Sequence, residues 1–246
     1  MTICGYFGKR PIERDFVYDG LPARVTDAWA GAVSSWLTGC RDFDPQTWHG
    51  AYYSAPVWRF AIPKGHLSDR AWLGMLAASA DEMGRAFPLV ILMDADCPAF
   101  SNDVLFHVDE VMDRLELSLL AFVAGETTRR EFQNRIVAAA ASIRAALQED
   151  IPQISVTFPD LAKDETALCM PWAHLIAPNE HPEEVLIYKE AHGEKGPGQP
   201  GFWWHEGSPD RVSEYCVFSR MPAAPAAIGM FMGQWQSFGW KSRENG

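Results

Sequence analysis

The stretch that most limits how this chain folds is FPLVILM, Phe87–Met93, an unbroken apolar run of strand length. A strand with one wet face alternates apolar and polar residues. An unbroken run bounded by Arg85 and Asp94 is what a strand covered on both faces requires. The rest of the chain supplies the material for two covers. Val25, Trp29, Val33, Trp36 and Leu37 recur at helical spacing after Pro22, so a helix is expected over Pro22–Leu37, with Gly39 as its stop. Ser68–Met83 carries Trp72, Met75, Leu76, Ala80 and Met83 on one stripe and reads as a second helix, ended by Gly84. Val104, Val108, Val111, Leu115, Leu119 and Phe122 predict a helix over Asp103–Val123, closed by Gly125. Thr128 and Glu131 then form a capping box for a helix with Phe132, Ile136, Ala140, Ile143 and Leu147 inside.

Strands are expected at Ile3–Phe7, Asp15–Tyr18 and Val57–Ile62, the last with Trp58, Phe60 and Ile62 on one face and Arg59 on the other. Arg41–Gly50 reads as a loop. Later strands are expected at Ile154–Phe158, Val185–Lys189, Phe202–His205 and Val212–Phe218, and a final helix over Ala223–Met232. Glu190–Gly201, rich in Gly, Pro and charge, reads as a mobile loop. Helices and strands interleave throughout, so one α/β domain over residues 1–246 is expected, with helices on both sides of a sheet.

Charge and cysteine usage narrow the functional class. The net charge of -11 argues against non-specific binding to nucleic acid or to an anionic membrane. It fits a cytoplasmic chain that meets a basic partner surface. No apolar run reaches the roughly 20 residues of a transmembrane helix, and MTICGYFGKRP does not have the pattern of a signal peptide. Cys4, Cys40, Cys97, Cys169 and Cys216 are odd in number and far apart, with no C-x-x-C. They read as reduced thiols rather than a disulfide frame or zinc site.

The motifs that announce chemistry are missing. Gly8-Lys9 suggests a phosphate-binding loop, but Ile3 stands where its first glycine belongs and Arg10 where its hydroxyl belongs. Pro11 then removes a backbone donor. No H-E-x-x-H or G-x-S-x-G occurs. Asp94 and Asp96 follow the buried strand, where carboxylates bind metal or ribose in some folds but more often simply begin a loop. No catalytic residue, metal ligand or cofactor is assigned.

Taken in order, GYFGKRPIERDF (5–16), DGLP (19–22), SAPVWRFAI (54–62), Trp72, DEMGRAFPLVIL (81–92) and FWWHEGS (202–208) resemble the TagF family, associated with bacterial type VI secretion. That family opens with GK-x-P-x-x-GDF, continues with S-x-P-x-W-R-F and D-x-x-GR-x-FPL, and ends with an S-L-W-W-like element. The likeness runs from about residue 3 to residue 235. Two departures stand out: Arg14 replaces the usual glycine before Asp15, and Gly201-Phe202 replace Ser-Leu before the tryptophan pair. Some relatives carry a fused phosphatase domain, for which this length leaves no room.

The resemblance implies a three-layer α/β/α sandwich around a mixed sheet and, more weakly, a likeness to longin or roadblock domains. It implies a non-catalytic, post-translational repressor of type VI secretion that binds the system's forkhead-associated scaffold protein. An adaptor for a nucleotide-dependent switch protein is the second reading, and an enzyme acting on a small phosphorylated or acyl substrate the third. Lys9, Asp15, Arg59, Asp81 and Arg85 each flank an expected strand or helix end. Two alternatives stay open for them: one polar partner-binding surface, or a buried ion-pair network that fixes the fold. Trp203 poses a similar choice between core and exposed anchor, and the core reading is preferred.

Overall fold

The computed structural model describes residues 2–97, 100, 104–148, 160–162, 164–172, 185–189 and 199–243, with the backbone alone at 104, 105 and 107. Its first half contains β1 (Cys4–Gly8), β2 (Val17–Asp19), α1 (Ala23–Phe43), α2 (Trp48–Ser54), β3 (Trp58–Ile62), β4 (Trp72–Ala77) and β5 (Leu89–Asp94). There follow α3 (Val104–Val123), α4 (Arg129–Ala146), β6 (Ala167–Pro171), β7 (Leu186–Tyr188), β8 (Gly201–His205) and β9 (Glu214–Phe218). The chain then forms α5 (Ala224–Met232), a 3-10 turn at Trp235–Phe238 and β10 (Lys241–Ser242).

All these strands join one sheet in the order β10-β7-β6-β9-β8-β3-β4-β5-β1-β2. Every neighbouring pair is antiparallel. This corrects the expected three-layer α/β/α sandwich around a mixed sheet, and the longin-like reading falls with it. The molecule is dominated by a large antiparallel sheet. On one face its helices meet the sheet chiefly at β1, β4 and β5.

The cause of the discrepancy is local. Residues 68–83, expected as a helix, contain β4. A helix there would have made a crossover and paired β3 directly with β5 in parallel. A strand makes β3-β4-β5 a meander. Every residue of β4 is buried, so no two-residue alternation marked it. The chance spacing of Trp72, Met75 and Leu76 imitated a helical stripe.

The two faces collect different side chains. Leu73, Met75, Leu89, Ile91 and Met93 join Val108, Leu115, Leu119, Phe132 and Ile136 in the core under α3 and α4. Trp58, Phe60, Trp72, Leu76, Val90 and Leu92 join Trp29, Trp36, Tyr52, Met230 and Phe231 in the core under α1, α2 and α5. The strand at Leu89–Asp94 is thus covered on both faces, as its unbroken apolar run requires.

Two helical expectations shift at their ends. α1 passes through Gly39, which sits where a Cβ would lie 2.7 Å from Cδ1 of Ile228. That glycine lets α1 approach α5 and does not end the helix. Most of the expected loop 41–50 is helical, because Asp44 accepts hydrogen bonds from the N–H groups of Gln46 and Thr47 and turns the chain into α2. The capping box forms as expected: the Thr128 hydroxyl accepts from Glu131 N–H, and the Glu131 carboxylate accepts from Thr128 N–H.

β6 was not foreseen. It brings Cys169 directly opposite Cys216 on β9, with the two Cα atoms 4.0 Å apart, and the pair is joined as a disulfide. This corrects the expectation of five reduced thiols. A sequence separation of 47 hides a neighbourhood that only strand register creates. The expected strand at 154–158, and the loop 190–201 up to residue 198, lie outside the described residues.

Candidate functional site

Two of the motif-bearing segments, 5–16 and 81–92, meet at one corner of the sheet. β1 ends at Gly8, whose φ is +149°, and a Cβ there would stand 2.3 Å from the carbonyl oxygen of Pro88. Only glycine lets the chain leave β1 against the start of β5. The loop 9–16 then crosses the tight turn 81–85, and the two are tied by Glu82 N–H donating to Glu13 O at 2.9 Å.

Asp81 is the centre of this corner. Its side chain has no exposed surface. Lys9 Nζ lies 2.9 Å from Asp81 Oδ2, and Arg85 Nε donates to the same oxygen at 2.7 Å. Oδ1 accepts from the N–H groups of Met83 and Arg85 at 3.0 and 2.9 Å. Burial alone would raise the Asp81 pKa. Hydrogen bonds from Lys9 and Arg85 outweigh it and hold the carboxyl well below the usual carboxylate range.

Further bonds make the corner rigid. Arg85 Nη2 donates to Arg14 O, and Arg14 pairs with Glu82. Arg10 is buried and donates to the carbonyls of Phe122, in the last turn of α3, and Thr127, just before α4, with its guanidinium 4.1 Å from the Phe122 ring centroid. Burial lowers the Arg10 pKa. Glu13 binds Arg129 of α4 through both oxygens, and that hydrogen-bonded pairing lowers the Glu13 pKa. The Ser79 hydroxyl donates to Lys9 O, while Tyr52 both donates to Ser79 O and accepts from Ser79 N–H.

Around this frame the surface mixes apolar and charged groups. Ile12, Phe16, Tyr18 and Met83 are exposed, Met83 at 71%. Phe16 stacks on Phe7, edges onto Phe87, and has Lys9 Nζ 5.3 Å from its ring. Clefts of about 290 Å³ open elsewhere, between α3 and α4 beside Leu115 and Ala138, and beside α5 at Phe231.

Of the residues singled out from sequence, Lys9, Asp81 and Arg85 converge. Asp15 lies on the same loop, exposed, and makes no ion pair among the described residues. Arg59 is elsewhere. It leaves β3 on the α3 side, 2% exposed, and meets Asp109, Asp113, Glu116 and Glu206. Burial would lower its pKa, but Glu116 and Asp113 raise it. Burial, and then repulsion from neighbouring carboxylates, raises the pKa values of Asp109 and Glu206. Trp203 is 1% exposed and packs among Trp29, Trp36, Phe60 and Phe218. Arg10, Phe16 and Met83 were missed, although each lies inside or beside a quoted motif. A basic residue between Lys9 and Pro11 was the available signal for Arg10. Asp94, raised as a ribose or metal ligand, is buried and paired with Arg70. Among the described residues there is no metal-competent cluster and no helix long and apolar enough to cross a membrane.

Comparison with known proteins supplies the context for this corner. Among curated proteins, none matches the chain. The crystal structure of PA0076 from Pseudomonas aeruginosa PAO1 superposes with a TM-score of 0.63 at 22% identity, covering 94% of each chain, which shows a shared fold. An RNA-binding light-oxygen-voltage receptor reaches a TM-score of only 0.19 at 10% identity, over 95% of this chain and 99% of that one. The family model for the TagF N-terminal domain, type VI secretion system-associated, matches residues 5–139. That span is more than half of the 246 residues and contains the whole Lys9–Asp81–Arg85 corner, so the chain belongs to the TagF family of type VI secretion-associated proteins.

Proposed function

We propose that this chain is a non-catalytic repressor of type VI secretion that acts after translation by binding the system's forkhead-associated scaffold protein, so that the apparatus does not assemble. The observation that supports this reading is the corner built on Asp81. Most of its polar groups are spent on one another, and what it turns outward includes Phe16, Tyr18, Met83 and the guanidinium groups of Arg14 and Arg85, with Asp15 exposed beside them. Exposed aromatics, methionine and arginine on a rigid frame are the composition of protein-docking surfaces. Co-expression of the chain with the scaffold from the same secretion cluster, followed by size-exclusion chromatography and calorimetry, tests it. A complex is expected, and Arg14→Glu and Met83→Asp weaken it at least tenfold while leaving the melting temperature of the chain unchanged. Two folded proteins that elute apart sink the reading.

A further inference from the structure

The ten-stranded sheet ends differently at its two edges. β10 is two residues long and carries Lys241; Arg243 follows, its N–H bonded to Val185 O and its guanidinium to Glu165. Shortness and cationic side chains are how proteins guard an edge against another strand. At the opposite edge, residues 16–20 read FVYDG, with no lysine, arginine or proline. Among the described residues, nothing outside the ladder with β1 bonds to the main chain of residues 16–19. The outward backbone groups of β2 are therefore open to pairing.

The side chains of this edge are patterned as well. Phe16 and Tyr18, two residues apart, are 41% and 66% exposed on one face. Val17 between them is buried in the core under α3 and α4. The edge is flanked at its two ends by Asp15 and Asp19, both exposed and without an ion pair among the described residues. An added strand must match both periods at once.

We propose that an extended segment of a partner protein pairs with β2 as a further strand. Its side chains are apolar where they flank Phe16 and Tyr18, and basic where they flank Asp15 and Asp19. This rests on the reading of the chain as a partner-binding protein and names the mode of binding at the same corner.

Backbone amide hydrogen exchange on the full chain tests it, because added main-chain bonds slow exchange at β2 whereas side-chain docking alone does not. In complex with the scaffold, the slowest-responding outward amides of residues 16–19 are expected to exchange at least tenfold more slowly. Tyr18→Lys, which arms the edge like β10, is expected to weaken the complex at least tenfold at an unchanged melting temperature. A complex without slowed exchange at residues 16–19 overturns the strand inference and leaves the repressor reading standing. If no complex forms, the repressor reading falls, and an alternating valine–lysine hexapeptide becomes the probe. Slowed exchange at β2 with that peptide, and none with its valine–glutamate counterpart, upholds the open edge. Unchanged exchange with both peptides overturns it.

Discussion

At the scale of single residues, Asp81 decides the corner. Replacing it by Asn keeps the shape but leaves Lys9, whose side chain is 10% exposed, without its carboxylate. Losing one partner of a buried charged hydrogen bond costs about 2 kcal/mol, and urea unfolding of Asp81→Asn is expected to show a loss of that order. The pH dependence has a definite sign. A carboxyl held below its ordinary pKa adds stability above about pH 4, and that stability drains away as acid protonates it. The variant is expected to lose the part of the acid-induced destabilisation that Asp81 contributes, which parallel unfolding titrations from pH 6 to pH 3 would measure. An unaltered acid slope would mean that the Lys9–Asp81 pair is not what the low pKa reflects.

At the scale of elements, legibility followed exposure. Helices with one wet face announced themselves, and the capping box at Thr128 was readable to the residue because it is a contract between positions three apart. Thr128→Ala is expected to cost about 1 kcal/mol, a fall in melting temperature of about 2–4 °C for a chain of this size, read by calorimetry. β4, β6 and the Cys169–Cys216 pair were illegible for the opposite reason. Their neighbours come from strands far away in sequence, and full burial erases the alternation that marks a strand. The candidate site divides in the same way. Lys9, Asp81 and Arg85 sit in motifs at the ends of paired strands, so their convergence was foreseeable. The ring of carboxylates around Arg59 depends on how α3 crosses β3, which nothing local encodes. Arg59 therefore went with the wrong group, although its place on the face opposite Trp58, Phe60 and Ile62 was read correctly.

At the scale of the whole molecule, the far half of the sheet is held to its helical cover by a second buried polar node, centred on Glu214. Its Oε2 meets His205 Nε2 at 3.0 Å and Arg211 Nε at 2.8 Å, and its Oε1 accepts from Trp235 Nε1 at 2.8 Å. Arg211 also donates to the carbonyls of Gly229 and Met230 at the end of α5. One cluster thus ties β8, β9, α5 and the 3-10 turn together. Gly207 N–H donates to His205 Nδ1 at 2.9 Å, so the neutral ring carries its proton on Nε2, facing Glu214. A second proton on Nδ1 would confront the Gly207 donor. Burial, and then Arg211, hold the His205 pKa below its ordinary value against the pull of Glu214. Above about pH 6.5 neither folded nor unfolded chain protonates this ring. As pH falls below that value the unfolded chain takes up a proton that the folded chain refuses, so stability declines with acid through this window. His66, partly buried, also has a lowered pKa and adds a slope of its own. The informative quantity is therefore the difference between the parent chain and His205→Gln. Unfolding free energies measured from pH 7.5 to pH 5 are expected to place the variant lower at pH 7.5 and to bring the two curves together as pH falls. Parallel curves over that range would show that His205 does not couple protons to the closure of the sheet on α5.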